Sequence, residues 1–327
     1  VVTITVVPAL TGGAIAANQT LCAGGTAAPL TSETAATGGA GAIEYQWESS
    51  PDNATWTAIP GATGPTYAPG QLTTTTYFRR RASSGTACAP AFSNVVAIQV
   101  LPALTAGTIA ADQTICPGAT PAPLTSTAPA TGGNGQFAYQ WESSPDNSTW
   151  TAVPGATNPD FAPGPLTATT YFRRQVTAGA CGPVTTPVVT ITVLPALTAG
   201  SIAADQTICA GATPAPLTST AAPSGGTGQF AYQWESSPDN TTWTAISGAT
   251  NAEFAPGALT ATTYFRRQVR SGACGPEVTA SVRITVLPVL TAGSIAASQT
   301  ICRGATPDPL TSAAGASGGT GTFAYQW

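Results

Sequence analysis

The sequence feature that most constrains this chain is a twelve-residue motif that returns at a fixed, long period. Tyr-Gln-Trp-Glu-Ser-Ser-Pro-Asp-Asn-x-Thr-Trp occupies residues 45–56, 139–150 and 232–243, and its first three residues return at 325–327. The first tryptophans of the four copies lie 94, 93 and 93 residues apart. A fixed period of this length is typical of a tandem array of domains. Whatever one repeat does, the chain does several times.

The period and a recurring junction segment divide the chain. Pro-Ala-Leu-Thr occurs at residues 8–11, 102–105 and 195–198, and Pro-Val-Leu-Thr at 288–291. We predict repeats at residues 8–101, 102–194 and 195–287, the last strand of a truncated preceding repeat at 1–7, and the N-terminal half of a truncated repeat at 288–327. Because proline stiffens the backbone and cannot continue a central strand, we expect short, rigid junctions and a rod-like array.

The motif itself predicts a β-hairpin. Apolar and polar residues alternate before its turn, Ser-Pro-Asp-Asn supplies turn chemistry, and a second strand follows. Large aromatic side chains are the main apolar surface that a small β domain can bury. We therefore predict that these aromatics pack in the core or the hairpin: Trp47, Trp141, Trp234, Trp327, Tyr45, Tyr139 and Tyr232.

Each repeat contains about seven short segments of strand character, separated by Gly- and Pro-rich turns, without helical periodicity. This pattern predicts an all-β fold of tandem immunoglobulin-like sandwiches. The motif tryptophan on the third strand and Tyr171 at the start of the penultimate strand fit that plan, but Arg173 stands where its second core cysteine would lie.

The penultimate strand has two orientations open to it. Either Tyr171 and Arg173 face the core, or Phe172 and Val176 do. We favour the second, which places Arg173 on the outer face, and we then expect a cross-strand ion pair from Glu142 to Arg173 or Arg174.

The seven cysteines form two series with constant spacing. The first series is Cys22, Cys116, Cys209 and Cys302, and the second is Cys88, Cys181 and Cys274. Without histidine or a CxxC pair, they predict disulfides and an oxidising, extracytoplasmic environment rather than zinc sites.

Two pairings fit this spacing. Pairing within repeats gives Cys22–Cys88, Cys116–Cys181 and Cys209–Cys274, with Cys302 unpaired by truncation. Pairing across junctions gives Cys88–Cys116, Cys181–Cys209 and Cys274–Cys302, with Cys22 unpaired. We favour pairing within repeats, because closing a loop of roughly 66 residues contributes ~4 kcal/mol on the chain-entropy estimate.

Composition excludes several functional classes. Only 7% of residues are charged and the net charge is −4, which does not suit a nucleic-acid binder, and no apolar stretch is long enough to insert into a membrane. Histidine is absent, and the sparse carboxylates form no catalytic pair. Asp112 and Asp205 lie near junctions where calcium could bind, but Asn18 and Ser298 stand at the corresponding positions. We predict no enzyme, no cofactor and no metal.

Two sets of residues are candidates for contact with sugars. The second motif tryptophans, Trp56, Trp150 and Trp243, are the only candidates for an exposed platform that stacks on glycans. Asn53, Asn147 and Asn240 match the acceptor pattern for N-glycosylation, although turn chemistry alone also explains them.

The repeats resemble those of a known group of proteins. Gln-Thr-Ile-Cys-x-Gly, the motif above, Gly-Ala-Leu-Thr-Ala-Thr-Thr-Tyr-Phe-Arg-Arg and Ser-Gly-Ala-Cys-Gly follow one another between residues 206 and 275. This series resembles the immunoglobulin-like repeats of very large Bacteroidota cell-surface proteins, among them adhesins and gliding-motility proteins. The resemblance implies export, commonly by the type IX route, and a disulfide joining the two cysteines of each repeat.

These observations favour a structural role. We predict the shaft of an extracellular bacterial adhesin or surface filament at the cell surface, whose partners are the neighbouring repeats. Two alternatives stay open: a multivalent array that binds surface glycans, and repeats that associate laterally with other copies into a multi-chain fibre.

Overall fold

The computed structural model describes residues 2–327, in which every regular element is a β-strand. The strand predicted at residues 1–7 includes Val1, which lies outside the described residues. Residues 2–7 form no strand, and Val2, Ile4 and Val6 are exposed, since no described strand pairs with them. Without a neighbouring strand, the backbone N–H and C=O groups of residues 2–7 have no partners for the hydrogen bonds of a sheet.

The first repeat contains ten strands. They are β1 (Ala14–Ile15), β2 (Gln19–Cys22), β3 (Gly25–Thr26), β4 (Ser32–Thr34), β5 (Glu44–Ser50), β6 (Thr57–Ala58), β7 (Gln71–Leu72), β8 (Thr76–Ser83), β9 (Ala91–Phe92) and β10 (Val96–Leu101). The large sheet has the order β2-β10-β8-β5-β6, with β9 also beside β8. Strand β2 runs parallel to β10, whereas the other pairs are antiparallel. The pairs β1–β4 and β3–β7 are separate from the large sheet.

The second repeat contains eight strands. They are β11 (Thr108–Ile109), β12 (Gln113–Ile115), β13 (Ser126–Ala128), β14 (Ala138–Ser144), β15 (Thr151–Ala152), β16 (Thr170–Ala178), β17 (Cys181–Thr185) and β18 (Val189–Val193). Strand β16 lies between β14 and β18 and also pairs with β17, and β15 pairs with the other side of β14.

The third repeat has the same plan. Its strands are β19 (Ser201–Ile202), β20 (Gln206–Cys209), β21 (Ser219–Ala221), β22 (Ala231–Ser237), β23 (Thr244–Ala245), β24 (Thr263–Ser271), β25 (Cys274–Val278) and β26 (Val282–Leu287). Its large sheet has the order β20-β26-β24-β22-β23. After it come only β27 (Ser294–Ile295) and β28 (Ser312–Ala314).

The motif forms the predicted hairpin. In the first repeat, β5 and β6 pair antiparallel, with Glu48 opposite Ala58 and Ser49 opposite Thr57. Trp47 is fully buried and its indole Nε1 donates to the carbonyl oxygen of Gly64 at 2.9 Å. Trp141 and Trp234 are also fully buried, whereas Trp327 is 79% exposed.

The interior of each sandwich is built around the buried tryptophan. In the first repeat the core consists of Ile15, Ala27, Leu30, Trp47, Phe78, Val96 and Ile98. In the third repeat it consists of Ile202, Leu217, Trp234, Phe265, Val282 and Ile284. These residues come from both layers, as expected of a sandwich.

Strand β16, which the sequence predicted to be penultimate although β17 lies between it and β18, faces the core as favoured from sequence. Phe172 and Val176 are buried, whereas Tyr171 and Arg173 are partly exposed. Because side chains alternate along a strand, Arg174 is also directed inward, and it is fully buried.

The chain divides into two compact units. One comprises Val1–Gln113, Pro121–Gly164 and Thr169–Ile191, and the other comprises Thr114–Thr120, Pro165–Ala168 and Thr192–Trp327. The segment of the second repeat that contains Cys116 therefore belongs to the second unit. Residues 2–327 contain no helix that could cross a membrane.

Candidate functional site

The first-series cysteine lies where the chain leaves its repeat. Cys22 is the last residue of β2, and its Cα is opposite that of Leu101 in β10. The N–H of Ala23 donates to the carbonyl oxygen of Leu101 at 3.0 Å. Since Leu101 directly precedes the junction at residues 102–105, Cys22 lies beside the exit from the first repeat.

The second-series cysteine lies where the chain enters its repeat. Cys181 opens β17, pairs with Ala178 across a tight turn and is buried. A Cβ atom placed on the next residue, Gly182, would lie 3.1 Å from Cδ2 of Leu104, so this turn touches the end of the junction. Leu104 packs against a small apolar cluster that contains Val176.

A disulfide joins these two places. Cys22 bonds to Cys181, with 5.4 Å between their Cα atoms, and Cys116 bonds to Cys274, with 5.6 Å. Each bond links the first-series cysteine of one repeat to the second-series cysteine of the next. Neighbouring repeats are therefore connected twice at the junctions 102–105 and 195–198, by the peptide chain and by a disulfide.

The second junction repeats the contacts of the first. The N–H of Leu194, the residue before the junction, donates to the carbonyl oxygen of Ile115, the neighbour of Cys116, at 2.9 Å. A Cβ on Gly275 would lie 2.9 Å from Cδ2 of Leu197. The same geometry at two junctions shows that the pairing follows from the repeat itself.

Both pairings considered from the sequence are wrong. The structure contains neither the pairs within repeats, Cys22–Cys88, Cys116–Cys181 and Cys209–Cys274, nor the pairs from a second-series cysteine to the following first-series one. Cys88, Cys209 and Cys302 are free thiols. The two cysteines of one repeat lie at opposite ends of β16 or its equivalent. The nine residues of β16 span about 30 Å, whereas the Cα atoms of a disulfide lie ~4.4–6.8 Å apart.

Backbone contacts hold the junction against the repeat that it enters. The N–H of Gly133 donates to the carbonyl oxygen of Pro102 at 2.9 Å. Gly132 has φ +88°, and a Cβ there would lie 1.9 Å from the carbonyl oxygen of Ala103. Only glycine fits this place, because it tolerates positive φ and lets the backbones approach.

The outer face of each large sheet carries a cluster of tryptophan, arginine and glutamate. In the second repeat, Nε of Arg173 donates to Oε2 of Glu142 at 2.6 Å, and the guanidinium lies 4.1 Å from the ring centre of Trp150. The expected pair from Glu142 to Arg173 is confirmed. The same cluster occurs as Glu48, Arg79 and Trp56 and as Glu235, Arg266 and Trp243.

These clusters bear on the glycan platform. Trp56, Trp150 and Trp243 are partly buried, and the guanidinium of an arginine covers one face of each ring. Each ring is less than half exposed and has at most one face free for stacking on a sugar, so the glycan platform stays a prediction that this arrangement does not favour.

A buried arginine joins the layers of each sandwich. Nη1 of Arg174 donates to Oγ of Ser126 in β13 and to the carbonyl oxygen of Pro159, and its Nη2 donates to the carbonyl oxygen of Ala106 at 3.0 Å. Its guanidinium lies 4.7 Å from the ring centre of Tyr139. Burial lowers the pKa of Arg174.

The other two repeats contain the same arginine–serine contact. Arg80 donates to Ser32 and Arg267 donates to Ser219, and both arginines are fully buried. In immunoglobulin domains a disulfide links the two sheets beside the core tryptophan. Here an arginine–serine hydrogen bond joins the layers beside that tryptophan, and both cysteines of a repeat are left for its junctions.

The hairpin tips are held by an aspartate. Oδ1 of Asp146 accepts hydrogen bonds from the backbone N–H groups of Ser148 and Thr149, at 2.9 and 2.8 Å, and from the hydroxyl of Ser144. These bonds hold the pKa of Asp146 well below its usual range. Asn147 beside it has φ 59°. The acceptor asparagines Asn53, Asn147 and Asn240 all lie at such exposed tips, and their glycosylation stays a prediction.

The aspartates considered for calcium are used within the fold. Oδ1 of Asp112 accepts from the N–H of Thr190, and Oδ1 of Asp205 accepts from the N–H of Arg283, both at 2.8 Å. Within residues 2–327, no three His, Cys, Asp or Glu side chains group together as a metal site would need.

Fold and bonded junctions together define a class: a tandem array of immunoglobulin-like domains that are disulfide-linked from one repeat to the next. A family model described as a domain of unknown function, DUF8696, matches residues 11–102, 105–195 and 198–288. The chain belongs to this family and contains three tandem copies of its domain. No curated protein matches it.

The chain is similar to solved structures of multidomain proteins, among them three immunoglobulin domains of titin. A three-domain titin fragment, an E-to-A mutated variant, has a TM-score of 0.50 at 12% identity, covering 85% of this chain and 98% of that chain. The three N-terminal domains of the highly immunogenic outer capsid protein of bacteriophage RB49 have a TM-score of 0.39 at 14% identity, covering 85% and 99%. The predicted all-β, tandem immunoglobulin-like fold is confirmed.

Proposed function

We propose that this array is the load-bearing shaft of an extracellular adhesin or surface filament, which holds another part of the assembly away from a bacterial cell surface. The observation that carries the proposal is the double connection at the two junctions between the three repeats, where residues 102–105 lie beside the Cys22–Cys181 bond and residues 195–198 beside the Cys116–Cys274 bond. A flexible tether needs no such second connection, whereas a shaft benefits from one.

Three further features support this role. Leu104 is packed into the repeat that follows, which favours a fixed junction over a free hinge. The disulfides suit an oxidising environment outside the cytoplasm. The sequence also resembles the exported surface repeats of Bacteroidota, which favours export and a place at the cell surface.

The shaft proposal predicts how the chain lengthens under load. With both bonds intact, the shortest covalent path from Cys22 to Cys274 limits how far the unfolded chain can extend. This path crosses the disulfide to Cys181, follows the chain back to Cys116, and crosses the second disulfide to Cys274. Its only peptide stretch is the 65-residue segment from Cys116 to Cys181. At ~3.4 Å per residue this path is about 220 Å long, against roughly 850 Å when the bonds are reduced.

Single-molecule pulling on the whole chain, attached at its two ends, measures this difference. Together with the terminal segments outside Cys22 and Cys274, we expect a total extension of about 470 Å in oxidising buffer and about 1,100 Å, a little more than twice as long, after reduction. The matched control is the double variant Cys22→Ser with Cys116→Ser, which should extend fully without reductant. Equal extension of the oxidised and reduced chain would contradict the proposal.

A further inference from the structure

Cys209 occupies the same place in its repeat as the two bonded first-series cysteines. It is the last residue of β20, and its Cα is opposite that of Leu287 in the parallel strand β26. The N–H of Ala210 donates to the carbonyl oxygen of Leu287 at 3.0 Å, as Ala23 does to Leu101. Unlike Cys22, however, Cys209 is an exposed free thiol.

Cys88 is the corresponding case in the second series. It lies in the turn between β8 and β9, and the equivalent Cys181 directly follows the turn after β16 as the first residue of β17. Its thiol is free and partly buried. The first repeat thus has an unused second-series cysteine and the third repeat an unused first-series one.

The bonded cysteines show which partner each thiol fits. In both disulfides, a first-series cysteine bonds to the second-series cysteine of the repeat that follows it. We propose that Cys209 and Cys88 are two further disulfide sites, each of which bonds to a cysteine of another repeat of this same family. Cys209 takes a second-series cysteine, and Cys88 takes a first-series cysteine.

The bond requires an oxidant. Two thiols lose two protons and two electrons as the sulfur–sulfur bond forms. A disulfide oxidant such as oxidised glutathione accepts these protons and electrons by thiol–disulfide exchange and is released as two glutathione thiols. Exposure of Cys209 makes its thiol accessible to that exchange. The inference goes beyond the shaft, because it specifies which cysteines join repeats whatever load they carry.

A completed fourth repeat tests the site at Cys209. Trp327 is equivalent to Trp234, so extending the full chain with a second copy of residues 235–287 completes that repeat and adds a second-series cysteine equivalent to Cys274. Glu277→Asp in the added copy marks its tryptic peptide by mass. Cys209 and Cys302 fall in different tryptic peptides, because Arg266 and Arg283 separate them.

Non-reducing peptide mapping after refolding with glutathione identifies the partner, provided that the tryptic peptides are also cut before aspartate, because Cys181 and Cys209 share the tryptic peptide 175–266 and Asp205 lies between them. We expect the added cysteine to be bonded to Cys209, while Cys302 stays reactive towards iodoacetamide. A bond from the added cysteine to Cys302, or a Cys209 that is still labelled, would overturn the proposal. In the matched control the added cysteine is replaced by serine, and Cys209 should then be labelled as in the original chain.

The opposite end provides a second, independent variant. Residues 1–6 match 188–193, so placing a copy of residues 102–187 before the chain completes a preceding repeat with its own first-series cysteine. We expect that cysteine to bond to Cys88, and a Cys88 that stays reactive would contradict the rule. Bond mapping applies no load, so its failure would leave the pulling result on the shaft unaffected.

Discussion

At the scale of single residues, adjacent arginines on one strand have opposite surroundings. Arg173 lies on the outer face, paired with Glu142 and stacked on Trp150. Arg174 is fully buried without a carboxylate in contact and is held by neutral oxygen atoms, while its Nε has no partner among the described residues. A buried cation of this kind costs solvation, and its hydrogen bonds across the sandwich offset that cost.

Replacing the buried arginine should weaken its repeat more than replacing the outer one. Arg174→Met leaves the carbonyl oxygens of Pro159 and Ala106 and the hydroxyl of Ser126 without their donor, so we expect the free energy of unfolding of the second repeat to fall by about 2–3 kcal/mol. Arg173→Met removes a partly exposed pair and should cost ~1 kcal/mol or less.

Hydrogen exchange with mass spectrometry measures both variants, because it resolves the second repeat from its neighbours. The slowest amides of β14 and β16 report the free energy of unfolding of that repeat. Equal losses in the two variants, or a neutral Arg174→Met, would show that the buried guanidinium does not hold the layers together.

At the scale of elements, the turn at Gly132 determines how the junction meets the next repeat. Gly132→Ala places a Cβ 1.9 Å from the carbonyl oxygen of Ala103 at a φ of +88°. The junction must then move, so we expect the Cys22–Cys181 bond to become more accessible and to be reduced faster by a phosphine reductant. The measurement is the reduction rate of that bond, followed by peptide mapping.

Gly135 provides a matched control in the same turn region. Its φ is +78°, but a Cβ there meets no atom within 4 Å. Gly135→Ala should therefore add backbone strain without moving the junction, and the reduction rate should stay near that of the original chain. If both variants accelerate reduction equally, the contact with Ala103 is not what positions the junction.

The hairpin tip should respond to acid. Because hydrogen bonds from Thr149, Ser148 and Ser144 depress the folded-state pKa of Asp146, its stabilisation is fully present above the unfolded pKa of about 3.8. It is then lost as the pH falls from there through the folded pKa. We expect the exchange protection of the Ser148 and Thr149 amides, corrected for the intrinsic rate, to be constant from about pH 7 to 5 and to fall below about pH 4.

The variant Asp146→Asn isolates the charge in this turn. It keeps a side-chain oxygen as an acceptor but has no carboxylate to titrate, so its protection should be lower at neutral pH and should not change near pH 4. Loss of protection in the original chain already at pH 6 would contradict the role of Asp146.

Local patterns predicted the elements well, and long-range pairing poorly. Alternation around Trp47 was sufficient to predict the hairpin, and the choice of Phe172 and Val176 as inward residues was correct because a strand allows only two orientations. The same alternation would have placed Arg174 in the core. The cysteine pairing could not be predicted from local patterns, because the spacing of Cys22, Cys88 and Cys181 does not reveal at which end of a repeat each cysteine lies. Only the three-dimensional placement of β2 and β17 shows that.

At the scale of the whole molecule, the staggered bonds also change what a single break in the backbone can do. Every peptide bond between Cys22 and Cys274 lies within at least one disulfide-closed loop, and those between Cys116 and Cys181 lie within both. A protease that cuts one of them opens a loop, but both resulting pieces stay covalently joined. In a tandem array without such bonds, one cleaved linker separates the domains on either side of it. Between Cys22 and Cys274 of this chain, a single cleavage leaves all domains covalently connected.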